Sequence, residues 1–287
     1  MHPLIAPEAL LADGEFYRVL DCRAVLGDPQ AAREGFHQAH IPGAIHVDLE
    51  QVLSGQAHSD AQGRHPLPDP QDWVQWLAMH GIGRETPVVC YDTAGGMMAA
   101  ARAWWMLLQA GVESVQVLDG GLQAWEESGG ILDNGPSDLI LELNPDECCE
   151  MPNGWAVPGL VTARELAAYL DDVTLVDARN EARFAGLEEP QDAVAGHIPG
   201  AVCRPCSENL SADGRFLPAE QLHERFRALY EAAGDQLPIF YCGSGVTACH
   251  NLLAARAAGW PLGRLYAGSW SDWISDTARP VNTDCHK

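Results

Sequence analysis

PIFYCGSGVTACHNLLAARAAG, residues 238–259, passes from a continuous apolar run through a glycine-rich turn into a small-residue helix that stops at Gly259. An apolar run of this length, with no polar alternation, predicts a strand buried on both faces, as in a parallel sheet. In such sheets, sites form beyond the carboxyl ends of the strands. Cys242 stands at that end. The two glycines let Gly243-Ser244-Gly245-Val246 curl back, turning main-chain N–H groups inward. With Thr247 and the helix start behind them, these groups form a cradle for an anion. A thiolate at its centre would be stabilised as a nucleophile, and the same groups could hold a terminal persulfide. A cysteine alone is more often a core residue; the G-x-G turn and the helix behind it reverse that reading for Cys242.

The neighbouring stretches extend the pattern. VTARELAAYL opens on Thr162 with Glu165 three residues on, the spacing of a capping box. TLVDA and GRLYAG read as short strands. PAEQLHERFRALYEAAG carries apolar residues at helical spacing and ends on Gly234. Strand and helix signals alternate, which predicts an α/β fold with a parallel sheet and helices on both faces.

The same order of signals occurs earlier in the chain. HIPGA appears at His40–Ala44 and again at His197–Ala201. VLDCR at 19–23 answers LVDAR at 175–179, PVVCYD from Pro87 answers PIFYCG from Pro238, and VLDGGLQAW at 117–125 answers RLYAGSWSDW at 264–273. Four matches in one order, at nearly constant offset, mean two copies of one domain. We place them at residues 1–135 and 159–287. Residues 136–158, rich in proline, Asn-Gly and polar residues, form the linker, to which LILEL could add an edge strand. A chain of 287 residues is also longer than one core usually serves.

Composition narrows the partners. Seventeen Lys and Arg against forty Asp and Glu give a formal charge of −23, a surface that repels phosphate backbones and anionic lipid, so neither nucleic acid nor membrane is an expected partner. An anionic substrate would need a local positive pocket. No apolar stretch approaches the length of a membrane span. The start, MHPLIAPEALLADGEF, lacks the pattern of a signal peptide, and nine cysteines, an odd number, fit free thiols in a reducing cytoplasm better than a disulfide framework.

CGSGVTAC, together with HIPGA, DAR-x-x-x-RF, AARAWWML and VLDGG-x-x-W, resembles the 3-mercaptopyruvate sulfurtransferases, tandem-domain enzymes of the rhodanese superfamily. The resemblance covers nearly the whole chain. It implies two rhodanese-like domains, an inactive first and a catalytic second, and Asp92 indeed stands where the second copy has Cys242. It further implies that sulfur passes from 3-mercaptopyruvate through a Cys242 persulfide to thioredoxin, another thiol or cyanide, without metal or organic cofactor. Thiosulfate-specific members resemble C-R-K-G-V-T, with two cations in the loop. Here those positions are Gly243 and Ser244, which favours a donor whose charge is a remote carboxylate. Phosphatases of this fold carry Arg six positions after the cysteine; Ala248 stands there. A thiosulfate:cyanide sulfurtransferase and a non-enzymatic sulfur-carrier or redox-sensing module are the alternatives.

The resemblance assigns the substrate carboxylate to Arg183. It places a second arginine after an E-P pair, where this chain has Gln191. Arg179 could compensate, or could form a structural salt bridge. Ser244 would join His65 and Glu50 in a relay that protonates the departing pyruvate enolate, with Asp48 as the competing acid. The substrate-binding set thus comprises Arg183, Arg179, Gly243, Gly245, Val246 and Thr247, with no metal ligand. His40 and His197 occur in both copies and read as turn residues. Cys203 and Cys206 have C-x-x-C spacing, but no partner motif that would make a zinc site. Cys148 and Cys149 read as exposed linker thiols, Cys249 as core, and Trp73, Trp76, Trp104 and Trp105 as core at helical spacing.

Overall fold

The computed structural model describes residues 1–55, 63–137, 143, 145–155 and 159–283. Packing divides the chain into two compact units. The first comprises 1–55, 67–157 and 211–216, and the second 56–66, 158–210 and 217–287. The boundaries read from sequence run straight along the chain, whereas the units each take a short segment from the other half. LILEL lies outside the described residues, apart from Leu143.

In the first unit the elements alternate: β1 (Leu4–Ile5), α1 (Pro7–Asp13), β2 (Arg18–Asp21), α2 (Pro29–Gln38), β3 (Ile45–His46), α3 (Pro70–Met79), β4 (Val88–Tyr91), α4 (Ala100–Gln109), β5 (Val115–Leu118) and α5 (Gly121–Glu127). The sheet has the order β1-β5-β4-β2-β3, with every pairing parallel. Val88 through Tyr91 are buried without alternation, as a strand covered on both faces requires. Trp73, Trp104 and Trp105 are fully buried. Trp76 is half-buried and stacks on Trp73, so it covers the edge of the core rather than filling it.

The second unit contains α6 (Ala163–Ala168), β6 (Leu175–Asp177), α7 (Glu181–Phe184), β7 (Val202–Cys203), α8 (Ala219–Ala233), β8 (Ile239–Tyr241), α9 (Ala248–Ala257), β9 (Arg264–Leu265) and α10 (Ser269–Trp273). Its sheet order is β7-β6-β8-β9, again all parallel, and a parallel bridge from Leu160 to Leu265 marks the place that β1 fills in the first unit. The capping box forms as the spacing predicts: the Thr162 N–H donates to Glu165 and the Glu165 N–H to Thr162 Oγ1. Helix α8 ends at Gly234 with φ +54°, a left-handed-side conformation that glycine takes without strain. From β6 the chain runs to β7 on one side, and from β8 to β9 on the other. Their shared border is therefore a switch point, where α/β sheets place their sites.

The repeated motifs do the same structural work in both copies. Asp21 and Arg23 form a buried pair at 2.6 Å, and Asp177 and Arg179 one at 2.7 Å. Each arginine also donates to a main-chain carbonyl, Ala39 or Gly196. His40 and His197 stack on Phe36 and Phe184 and hydrogen-bond the carbonyls of the same residues. The next N–H, of Ile41 or Ile198, donates to the hydroxyl of Tyr91 or Tyr241 at the end of the central strand. These residues lock the turn before β3 or β7 onto the sheet, which explains why they recur in a copy that lacks the cysteine.

The linker cysteines depart from expectation. Cys149 is buried, its thiol pushed up to about 11 by desolvation and the neighbouring Cys148, and Cys148 is only half-exposed. A main-chain bridge from Cys148 to Gly83 ties this stretch to the first unit, so it is packed structure rather than an exposed connector. Among the described residues no helix is long and apolar enough to cross a membrane.

Candidate active site

Cys242 follows β8 directly and is 1% exposed. The Gly245 N–H lies 3.1 Å from its Sγ and donates to it, the inward-turned donor that the glycine-rich loop predicts. Gly245 has φ +79°, and a Cβ there would collide with the Ala267 carbonyl, so only glycine brings this N–H to the sulfur without displacing the neighbouring strand end. Val246 and Ala248 are buried, and α9 behind them is buried almost all round. Its polar residues are satisfied inside: Asn209 donates to Asn251 and Asn251 to the Arg204 carbonyl. The Cys249 thiol points back to the Gly245 carbonyl, 3.5 Å away, a packing role.

The matching place in the first unit shows what such a loop does with an anion. The Asp92 carboxylate, fully buried, accepts hydrogen bonds from the N–H groups of Ala94, Gly96, Met98, Ala99 and Ala100 at 2.8–3.3 Å. Burial pushes its pKa up, against the pull of those donors. The first copy carries its own anion where the second carries a sulfur. Asp92→Ala is expected to lower the stability of the first unit by about 2–4 kcal/mol, because buried N–H groups lose a charged acceptor. Chemical denaturation followed by tryptophan fluorescence would measure this. An unchanged midpoint would show that the carboxylate does not stabilise the loop.

Ser244 is 7% exposed and its hydroxyl lies 2.7 Å from His65 Nδ1, in a hydrogen bond between two buried side chains. Residues 63–66 belong to the second unit, so this contact lies inside one compact body although the two residues come from opposite halves of the sequence. Glu50 belongs to the first unit and is exposed. The competing acid Asp48 is buried, and its Oδ1 accepts the N–H groups of Glu50 and Gln51. That turn-capping task accounts for Asp48.

Arg183, expected to form a local positive pocket, lies in a network of arginines and carboxylates. Arg183 donates through Nε and Nη2 to Glu189 at 3.1 and 2.7 Å, and through Nη2 to Asp192 at 3.1 Å. Burial alone would raise the Glu189 carboxyl, but Arg183 and the N–H groups of Gln191 and Asp192 outweigh it and hold the pKa below the ordinary range. Gln191 is exposed and uses its main-chain N–H on Glu189. The Arg179 side chain is 2% exposed, fully engaged by Asp177, Glu189 and the Gly196 carbonyl, and stacked over Trp270. Of the two roles open to Arg179, this is the structural one.

Three contributors escaped the sequence reading. Ser269 has φ +56°, which is strained for a residue with a Cβ. Its hydroxyl accepts the Cys242 N–H at 3.0 Å and donates to the Tyr266 carbonyl. The equivalent position in the first copy is Gly121, at φ +60°, so a serine here keeps the glycine conformation and adds a hydroxyl beneath the cysteine. The second is Arg64, next to His65, and the third Asp192, next to Gln191. Arg64 pairs with Asp192. A Cβ built on Gly243 would lie 2.9 Å from Arg64 Nη2 and 3.5 Å from Arg183 Nη1 and Nη2. The neutral Gly243-Ser244 pair thus does not make a neutral site: two guanidinium groups reach it from elsewhere. The C-x-x-C pair lies close by without being poised for redox exchange. Desolvation and nearby carboxylates push Cys203 up to about 12, and desolvation with the adjacent Cys242 does the same for Cys206.

Residues 8–128 and 162–276 each match the rhodanese-like domain family. The chain is 48% identical, over 92% of each chain, to a Pseudomonas aeruginosa protein named "Probable 3-mercaptopyruvate sulfurtransferase". It is 31% identical to the thiosulfate sulfurtransferase of Gallus gallus, over 91% of this chain and 87% of that one. Among solved structures, the 3-mercaptopyruvate sulfurtransferase of Leishmania major superposes with a TM-score of 0.84 at 30% identity, covering 97% of this chain and 75% of that one. With two matched domains, a buried cysteine in a glycine-rich loop at a strand's carboxyl end, and relatives of this kind over most of its length, the chain belongs to the rhodanese family and is a sulfurtransferase acting on a small-molecule substrate.

Proposed function

We propose that this enzyme takes sulfur from 3-mercaptopyruvate and holds it as a persulfide on Cys242. The observation that carries this reading is the 2.7 Å hydrogen bond between His65 and Ser244, one residue beyond the loop position next to Cys242. The two donors used by the relatives differ in their leaving group. Sulfite leaves thiosulfate as a stable anion and needs no proton. Pyruvate leaves 3-mercaptopyruvate as an enolate and must be protonated at carbon. A buried serine–histidine pair beside the nucleophile suits only the second.

The Cys242 thiolate attacks the substrate sulfur, an S–S bond forms and the C–S bond breaks. The electron pair of that bond leaves with the three-carbon fragment. The proton released from the substrate thiol passes through Ser244 and His65 to the methylene carbon, giving pyruvate and a Cys242 persulfide anion. The Gly245 N–H and the start of α9, with Val246 and Thr247, stabilise the anion, and Arg183 holds the substrate carboxylate. In the second half-reaction an acceptor thiol such as thioredoxin, or cyanide, attacks the outer sulfur and restores the thiolate. The two half-reactions share one covalent intermediate, so the kinetics should be ping-pong. The scheme needs no metal or organic cofactor. A free thiolate nucleophile suits a reducing compartment, and we place the enzyme in the cytoplasm.

The donors decide between this reading and its rival. With cyanide as acceptor, kcat/KM for 3-mercaptopyruvate is expected to exceed that for thiosulfate by about a hundredfold or more, since one donor uses the proton relay and the other does not. The two guanidinium groups at Gly243 are the feature that favours thiosulfate, and a higher kcat/KM for thiosulfate would make it the donor.

A further inference from the structure

We infer that Ser269 is a positioning residue for Cys242: its buried hydroxyl, set between the ends of β8 and β9, aims the cysteine at the Gly245 N–H and so governs the reactivity of the sulfur. The inference rests on the reading of Cys242 as the sulfur carrier, and it holds for any sulfur donor.

The register of β8 and β9 shows where the hydroxyl sits. The strands pair in parallel, Ile239 beside Arg264 and Phe240 beside Leu265, and the Tyr266 N–H continues the ladder to the Phe240 carbonyl at 2.9 Å. In a parallel ladder the next bond would run from the Cys242 N–H to the Tyr266 carbonyl. Instead, Ser269 Oγ stands between them, accepting the Cys242 N–H and donating to the Tyr266 carbonyl, each at 3.0 Å. Its single proton is used on Tyr266, which leaves its lone pairs for Cys242. The hydroxyl parts the two strands by the width of an oxygen, just where the cysteine begins.

The first turn of α10 completes the bracket. The Trp270 N–H donates to the Cys242 carbonyl and the Ser271 N–H to the Gly243 carbonyl, both at 3.0 Å. The backbone of Cys242 is therefore held on both sides of its Cα, by Ser269 at the N–H and by Trp270 at the carbonyl. That fixes the Cα–Cβ direction, and with it the 3.1 Å approach of Sγ to the Gly245 N–H. Without the hydroxyl, the peptide would turn toward the Tyr266 carbonyl, because a buried N–H without an acceptor is costly. The sulfur would then swing away from Gly245.

Comparison of the two copies ties the hydroxyl to the cysteine rather than to the fold. Gly121 holds the equivalent place at φ +60°, and the Leu122 N–H donates to the Asp92 carbonyl at 3.0 Å, as Trp270 does to Cys242. The first copy makes the same turn with no side chain, and a Cβ at 121 would collide with the Asp92 carbonyl. Ser269 takes φ +56°, where a Cβ is strained, and it is wholly buried. Such strain concentrates at functional sites, and of these two turns only the one beside the sulfur bears it.

The test uses two variants of the full chain. Ser269→Gly removes the hydroxyl and relieves the strain, whereas Ser269→Ala removes the hydroxyl alone, so the glycine variant should melt at the higher temperature of the two. Both should nevertheless react alike. Alkylation of Cys242 by iodoacetamide, quantified by peptide mass, should slow about tenfold in each. The fall in kcat should be about as large with every sulfur donor that wild type turns over, with KM within about twofold. Wild-type alkylation and turnover in Ser269→Gly would overturn the inference, because the turn would then need only its conformation. So would slowing in Ser269→Ala alone, which would trace the effect to strain. Should Cys242→Ser retain turnover, Cys242 would not be the carrier, while the alkylation rates would still decide whether Ser269 aims its sulfur.

Discussion

Cys242→Ser is expected to release pyruvate from 3-mercaptopyruvate at least about a thousandfold more slowly than wild type, because a hydroxyl cannot accept and pass on the sulfur. The substitution changes one buried atom, and the Ser269 hydroxyl and Gly245 N–H that fix this position remain. The fold should therefore persist, and an unchanged melting temperature would confirm that the loss is chemical. Intact mass after treatment with 3-mercaptopyruvate alone should show the gain of one sulfur atom in wild type and none in the variant. Pyruvate release by the variant at the wild-type rate would remove Cys242 from the reaction altogether. The first copy is no substitute, because Asp92 is a carboxylate buried under five N–H donors and cannot form a bond to sulfur.

His65→Ala should slow pyruvate formation by about a hundredfold or more, within the range ascribed to general acid–base catalysis. The effect should depend on the donor. Turnover of thiosulfate, whose sulfite leaves without a proton, should change by no more than about threefold. Transfer of the outer sulfur from a preformed Cys242 persulfide to a thiol should likewise be spared. Single-turnover kinetics, with pyruvate and persulfide followed separately, resolve the two steps. Ser244→Ala should behave like His65→Ala, because the 2.7 Å contact makes them one unit. Equal slowing with both donors would show that His65 shapes the loop rather than moving a proton, and would end the relay.

Much of the frame was legible because its determinants are local. Thr162 and Glu165 cap a helix three residues apart, Gly245 supplies a conformation that other residues resist, and Asp177 reaches Arg179 within the same turn. HIPGA recurs because His40 and His197 bond the carbonyls of Phe36 and Phe184 and lock a turn to a sheet in both copies. Where local composition was the only guide, the reading went astray. Cys148-Cys149 looked like exposed linker, yet Cys149 packs against the Ile82 carbonyl region of a distant loop.

Sequence by itself therefore determined the two-copy α/β architecture, the place of Cys242 at the end of the central strand, and the contrast between Cys242 and Asp92, since each rests on periodicity, turn chemistry or a repeat. Only the tertiary structure decided the electrostatics around that cysteine. It tied Arg179 into the frame, brought His65 to Ser244, and set Arg64 and Arg183 on either arm of Asp192 against a loop that carries no charge of its own. The physical reason is that a charge acts through space. A cation missing from positions 243 and 244 can be supplied from residue 64, and the linear order of the chain holds no record of which distant side chains converge on one glycine.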